Sequence, residues 1–193
     1  GRFNIKYIQD KEGHRFRNGD HGWEYVVHSK EAPAEFNFEL KEGAPQFAND
    51  TEVVFTQDDV REIQKAKGAF LSGILLLMAN RKIDLADIEQ IYIAGAFGTF
   101  IHKENAHYIG LFPDVGLDDV KQIGNAAGEG AKSLLLNTNM RKLAKKLSRK
   151  IDYFEIANDP TFESEFAKSM VFPHMDLDVF PSLKEQYKDI PMR

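Results

Sequence analysis

The sequence predicts an α/β layered domain preceded by a small β-rich stretch, and two observations carry that expectation. From Thr56 onward the apolar periodicity runs helix, strand, helix, strand, helix, helix, strand, helix, the alternation expected of a sheet covered by helices. Two of the strand-to-helix joints, "AGAFG" from Ala94 to Gly98 and "GNAAG" from Gly124 to Gly128, are rich in glycine, which lets the backbone turn sharply or meet a neighbour closely.

The elements follow in order. Residues 1–55 contain short alternating pieces, "FNIKYI", "RNGDHGWEYVVHS" and "AEFNFEL", which read as strands of a hairpin or sheet edge. Asn18-Gly19 predicts a type I′ turn, because both central residues of that turn need positive φ. His14, His21 and His28 recur every seven residues; an odd spacing alternates faces along strands and speaks against a shared metal. Thr56 is a good N-cap for a helix reaching Asn80, with Asp58 and Asp59 in its first turn and an apolar face of Val60, Ile63, Phe70, Leu71, Ile74, Leu77 and Met78. The run "IYIA" within Gln90–Ala94 predicts a strand covered on both faces. A helix is expected near Lys103, then a Gly/Pro loop, "GLFPDVGLDDV", and a strand around Lys121–Ile123.

The second glycine turn opens a helix whose small residues, Ala127, Gly130 and Ala131, suit close packing. "NTNMRKLAKKLSRK" predicts an amphipathic helix with Met140, Leu143, Ala144 and Leu147 inside and a basic outer face, which reads as solvated cations. "IDYFEIA" reads as a strand, and Asp159 with Pro160 announces a further helix. The tail, 174–193, with its prolines and aromatics, is expected on the surface of the domain or of a partner.

Composition narrows the function classes. The 193 residues, 42% hydrophobic and 28% charged, suffice for one sizeable core. Lys plus Arg number 25 against 30 Asp plus Glu, so nucleic acid is not an expected partner. The longest apolar run, Gly68–Ala79, falls well short of the roughly 20 residues of a membrane span. There are no cysteines, which excludes disulfides, thiolate catalysis and a cysteine-bound iron–sulfur cluster within these residues and fits a cytoplasmic setting. Gly1, not Met, suggests a tag remnant or a piece of something longer.

The familiar catalytic patterns fail. "GNAAGEGAKS" is not a Walker loop, because Ala131 separates Gly130 from Lys132. In "HKENAH" the histidines, His102 and His107, stand five apart and would not share a helical face. No GxSxG or GxGxxG occurs. No catalytic or metal residue is assigned. What remains is the pair of glycine turns and one misplaced charge, Lys67, on the apolar face of the first helix. A buried lysine must snorkel, pair with an acid or point into a cleft holding a ligand, and the residues alone leave these open.

Three blocks in order carry a resemblance: "FTQDDVREIQKAKGAF", "IEQIYIAGAFGTFIHKENAHYIGLFPD" and "KQIGNAAGEGAKSLLL". Together, over about Val54 to Pro173, the chain resembles the C-terminal part of the reductive activators of corrinoid proteins, within the superfamily of actin, sugar kinases and heat-shock-chaperone ATPases. The resemblance implies an actin-like (RNase H-like) ATPase subdomain over 56–173, with the β-rich stretch as an appendage. It implies that ATP lies between two related subdomains, and that the second contributes a strand-turn-helix adenosine motif matched by Gly95, Ala96 and Gly98. The helix carrying Gln64 and Lys67 would face adenine and ribose, and Gly124, Asn125 and Gly128 would approach the same pocket or close the packing behind it.

Members of the family use ATP to drive reduction of corrinoid Co(II) to Co(I). The resemblance therefore implies a corrinoid protein of a methyltransferase system as partner, Mg with the ATP, and an iron–sulfur cluster elsewhere in the protein. This chain departs from the pattern. It has neither cluster cysteines nor an acidic, glycine-rich phosphate loop, and both are expected to precede Gly1. These residues alone would then be one inactive wall of an ATP cleft. Two other readings compete: a dimerisation or corrinoid-protein docking module without a nucleotide role, and a lobe of an unrelated actin-like kinase or ATPase.

Overall fold

The computed structural model describes residues 16–19, 22–28 and 52–188. The chain divides into two compact units, 1–65 with 190–193, and 66–189. This division falls inside the first helix.

In the first unit, β1 (Phe16–Gly19), β2 (Gly22–His28) and β3 (Val53–Thr56) form an antiparallel sheet in that order. Gly19 pairs with Gly22 and Asn18 with Trp23. Asn18-Gly19 therefore ends a strand where the sequence predicts the turn itself. Register is set by pairing along the whole strand, and that outweighs the local preference of one dipeptide. His14 and His21 lie outside the described residues, as does the side chain of His28.

Helix α1 (Gln57–Arg81) starts where its cap predicts. The Thr56 N–H and hydroxyl both donate to Asp59, at 2.8 and 2.7 Å, and the Asp59 N–H returns a bond to the Thr56 hydroxyl at 3.2 Å. The buried stripe differs from expectation. Gln64, Lys67, Gly68, Leu71, Ser72 and Leu76 are buried, whereas Ile63, Phe70 and Leu77, one heptad apart, are 39, 58 and 42% exposed. Within this stripe the Lys67 ammonium is satisfied by backbone carbonyls, the Ser72 hydroxyl is buried without a hydrogen-bond partner among the described residues, and Gly68 admits a neighbouring segment: a Cβ on it would lie 2.9 Å from Met170 Cγ.

The second unit is organised around a parallel pair, β4 (Ile91–Ala94) and β5 (Val120–Gly124), with Ile91 opposite Val120 and Ala94 opposite Gly124. Short helices α2 (Gly95–Phe100) and α3 (Lys103–Tyr108) lie in the crossover, as a parallel connection requires. Ala106, Phe112 and Val120 form the core here, and Ile91, Ile93 and Ile101 pack against them. Strand β4 is covered on one face only: Tyr92 is 59% exposed, and the burial alternates residue by residue. The expected double cover is therefore not supplied by the described residues.

Beyond β5 come α4 (Ala126–Leu136) and α5 (Thr138–Ser148). Met140, Leu143 and Leu147, expected inside, are 42, 46 and 51% exposed. Ala127, Gly130 and Ala131 are exposed too. Residues 151–155 form no strand and lead into a single 3-10 turn, Ile156–Asn158, because a strand needs a pairing edge and none reaches them among the described residues. Asp159 organises the next helix, but from two residues outside the cap, which is Thr161: its carboxylate accepts from the Thr161 N–H and hydroxyl at 2.8 and 2.6 Å, and α6 runs Phe162–Ser169.

The tail is not a surface layer. Phe180, Leu183 and Tyr187, the last in helix α7 (Lys184–Tyr187), are buried. The Tyr187 hydroxyl donates to the Tyr108 carbonyl at 2.7 Å, and the two rings meet at 4.9 Å. Gly110 (φ +72°) lies so close to the segment entering the tail that a Cβ would fall onto the Pro173 carbonyl.

Candidate functional site: the strand ends at Gly95 and Gly124

The parallel pairing of β4 and β5 brings the two glycine turns to adjacent C-terminal strand ends, where α/β sheets present their ligand crevices. Gly95 has φ +89° and Gly124 φ +60°, and a Cβ built on either meets no atom within 4 Å. Glycine at both positions keeps a bare, open backbone surface in a conformation that other residues adopt at a cost.

The remaining turn residues do different work. A Cβ on Gly98 would come within 2.6 Å of Ile93 Cγ2 and 3.0 Å of the Ile93 backbone, so this glycine seats α2 against β4. Ala96 sits in the first turn of α2. The exposed Asn125 is the N-cap of α4: its side-chain oxygen accepts from the Gly128 N–H at 3.0 Å. A Cβ on Gly128 would fall 2.6 Å from the Asn125 amide nitrogen. Gly128 therefore makes room for the cap. Among these residues the structure brings Gly95, Ala96, Gly124 and Asn125 to the open strand ends, with Gly98 and Gly128 as supports.

Gln64 and Lys67 are carried by α1. Both are buried. Lys67 neither snorkels nor pairs with an acid: its ammonium donates to the backbone carbonyls of Ser169, Val171 (2.9 Å) and Pro173. All three donors are used. Burial pulls this ammonium down to about 7, against the pull of three carbonyls that favour its charged form. The misplaced charge fixes the segment between α6 and the tail, an arrangement that the residue pattern did not suggest.

A second polar cluster, His107 and Asp114 with the exposed Ser182, has the composition of a hydrolase triad. His107 Nε2 lies 2.7 Å from Asp114 Oδ1, and the Ser182 hydroxyl is 2.6 Å from the same oxygen. The serine hydroxyl donates to the carboxylate and lies 3.5 Å from His107 Nε2, and that nitrogen is itself engaged by Asp114, so the imidazole is not placed to take the serine proton. The Ser182 N–H also donates to Asp114, at 2.8 Å, and the group ties the tail to α3. Burial alone would raise the Asp114 carboxyl, but both Ser182 bonds and His107 outweigh it and hold it below its ordinary value. A depressed carboxyl contributes stability that is present above its unfolded pKa, about 4, and is lost as pH falls through the lower folded value. The stability difference between the protein and its Asp114→Asn variant, measured by urea denaturation, is expected to be constant at neutral pH and to shrink below about pH 4.

One supporting residue carried no sequence signal. From β5, Gln122 Nε2 donates to the carbonyls of Gly98 and Ile101, the latter at 2.7 Å. Among the described residues no helix is long and apolar enough to cross a membrane, and no group of three or more histidine or acidic side chains could hold a metal ion.

Residues 3–184 match the family described as the C-terminal domain of RACo, the ASKHA domain. The chain belongs to this family. The match takes in the antiparallel strands together with the parallel pair. A solved structure, the reductive activator for corrinoid, iron–sulfur protein, superposes on 90% of the chain with a TM-score of 0.76 and 29% identity. The actin-like fold of this RACo-type domain is thereby established.

Two relatives are similar in sequence. The corrinoid activation enzyme RamQ of Eubacterium limosum is 39% identical over 121 residues, 63% of this chain. The [Co(II) methylated amine-specific corrinoid protein] reductase of Methanosarcina barkeri is 26% identical over 139 residues, 70% of the chain. The matched regions span only 20 and 26% of those proteins and 26% of the solved one.

Proposed function

We propose that this RACo-type domain forms the adenosine side of an ATP cleft in a protein that uses ATP to drive reduction of a corrinoid from Co(II) to Co(I), readying it for methyl transfer. The observation that carries this reading is the pair of open, positive-φ glycines on adjacent parallel strand ends. Adenine and ribose would rest against the bare backbone at Gly95 and Gly124, with Ala96 and Asn125 at the rim. Gln64 and Lys67 would support the α1 side through packing and carbonyl bonds. Phosphates with Mg, and the iron–sulfur cluster that passes the electron, would be held by residues outside this chain, which has no cysteine. A corrinoid protein is the proposed macromolecular partner, in the cytoplasm.

Calorimetric titration of the intact protein with ADP tests the reading. A methyl added at Gly95 or Gly124 meets no protein atom, so Gly95→Ala and Gly124→Ala cost only about 1–2 kcal/mol of backbone strain, yet fill the space of the ligand. ADP affinity is expected to fall more than about tenfold in each. Wild-type affinity in both variants would sink the proposal.

One observation favours a second reading, a dimerisation or corrinoid-protein docking role. The exposed face of Met140, Leu143 and Leu147 on α5 lies on a helix with Lys142, Lys145 and Lys146 and no acidic residue, a combination suited to an apolar, acidic protein surface. Normal nucleotide binding by both glycine variants would favour it.

A further inference from the structure

We propose that Gln122 is a positioning residue for the Gly95 turn, coupling the geometry of the two strand ends to each other. This rests on the nucleotide reading above and extends it to a side chain that does not itself touch the open surface.

Helix α2 has only six residues, and the carbonyls of its last turn have no partner within the helix. Gln122, reaching across from β5, donates to the Gly98 carbonyl in that turn and to the carbonyl of Ile101, the residue after the helix. Gly98 is also the residue packed on the Ile93 backbone, so the same peptide is held from β4 by contact and from β5 by a hydrogen bond. One turn earlier, the Thr99 hydroxyl donates to the Gly95 carbonyl at 3.1 Å. A continuous path of bonds and backbone therefore runs from Gln122 through Gly98 and Thr99 to Gly95. Gln122 also stands two residues before Gly124 on the same strand. Movement of α2 relative to β5 would change the spacing of the two open glycines, and the Gln122 amide opposes that movement.

The chemistry requires a donor. Glutamate matches the size of glutamine but carries no N–H, and would set a carboxylate against two carbonyl oxygens. In the intact protein, Gln122→Glu is expected to speed hydrogen exchange of the amides in 96–101 and to weaken ADP binding about tenfold. Lys103→Met is the comparison, because Lys103 also bonds a distant backbone carbonyl, that of Leu117 at 2.7 Å, without reaching the strand ends. It should leave ADP affinity within about twofold of wild type.

If Gln122→Glu binds ADP as wild type does while Gly95→Ala does not, the positioning role is overturned and the nucleotide reading stands. Equal losses in Gln122→Glu and Lys103→Met would reduce Gln122 to general stability, which also overturns it. If wild type fails to bind ADP, or Gly95→Ala binds normally, the nucleotide reading falls and this inference with it.

Discussion

Replacing Lys67 by methionine is expected to destabilise the protein by about 3 kcal/mol while leaving nucleotide affinity within about twofold. Methionine keeps the stem's bulk but removes all three donors, leaving the carbonyls of Ser169, Val171 and Pro173 without that partner. Each buried acceptor left unsatisfied costs roughly 1–3 kcal/mol. Relief from burying an ammonium offsets part of the sum. A loss of about 3 kcal/mol corresponds to a fall of roughly 6–12 °C in Tm for a domain of this size. Thermal unfolding and ADP titration, run on the same sample, separate the roles. A lysine facing the nucleotide would produce the opposite pattern, with affinity lost and Tm kept.

Phe180→Ala is expected to cost about 3–5 kcal/mol in urea denaturation, as truncation of a fully buried aromatic does. Phe180 has no exposed surface. Its ring lies 6.3 Å from the His107 imidazole, which in turn stacks on Phe112 at 6.0 Å. The cavity would open beside the Asp114 group, so the tail should also become more accessible to protease. A loss below about 1 kcal/mol would mean that the tail merely covers the surface, since scattered surface substitutions stay within about 0.5 kcal/mol.

These two residues also show where the sequence was legible. The cap at Thr56, the strand at "IYIA", the glycine turns and the helix after Pro160 follow from short-range chemistry, and the structure places each within a residue or two. Both strand-end turns were visible because glycine at a strand-to-helix joint has few explanations. Which glycine faces open space and which faces a neighbour was not visible, since Gly98 meets Ile93 and Gly128 meets its own cap. Likewise, the apolar spacing on α1 identified a helix but only part of its buried face: Leu71 and Lys67 are buried, whereas Ile63, Phe70 and Leu77 are exposed.

By itself the sequence determined the α/β order from Thr56 as far as the helix that ends at Ser148, the two glycine turns, the absence of cysteine chemistry and, through three blocks of residues, the family. These depend on local preference and on patterns written along a few consecutive residues. Only the tertiary structure decided that Lys67 serves a carbonyl cage, that the tail belongs to the interior and that Gln122 ties the two turns together. Those outcomes depend on which atoms meet across separations such as Lys67 to Pro173, or Ser182 to Asp114. A buried polar group takes whatever partner the fold brings within hydrogen-bond reach, and its neighbours in sequence do not name that partner.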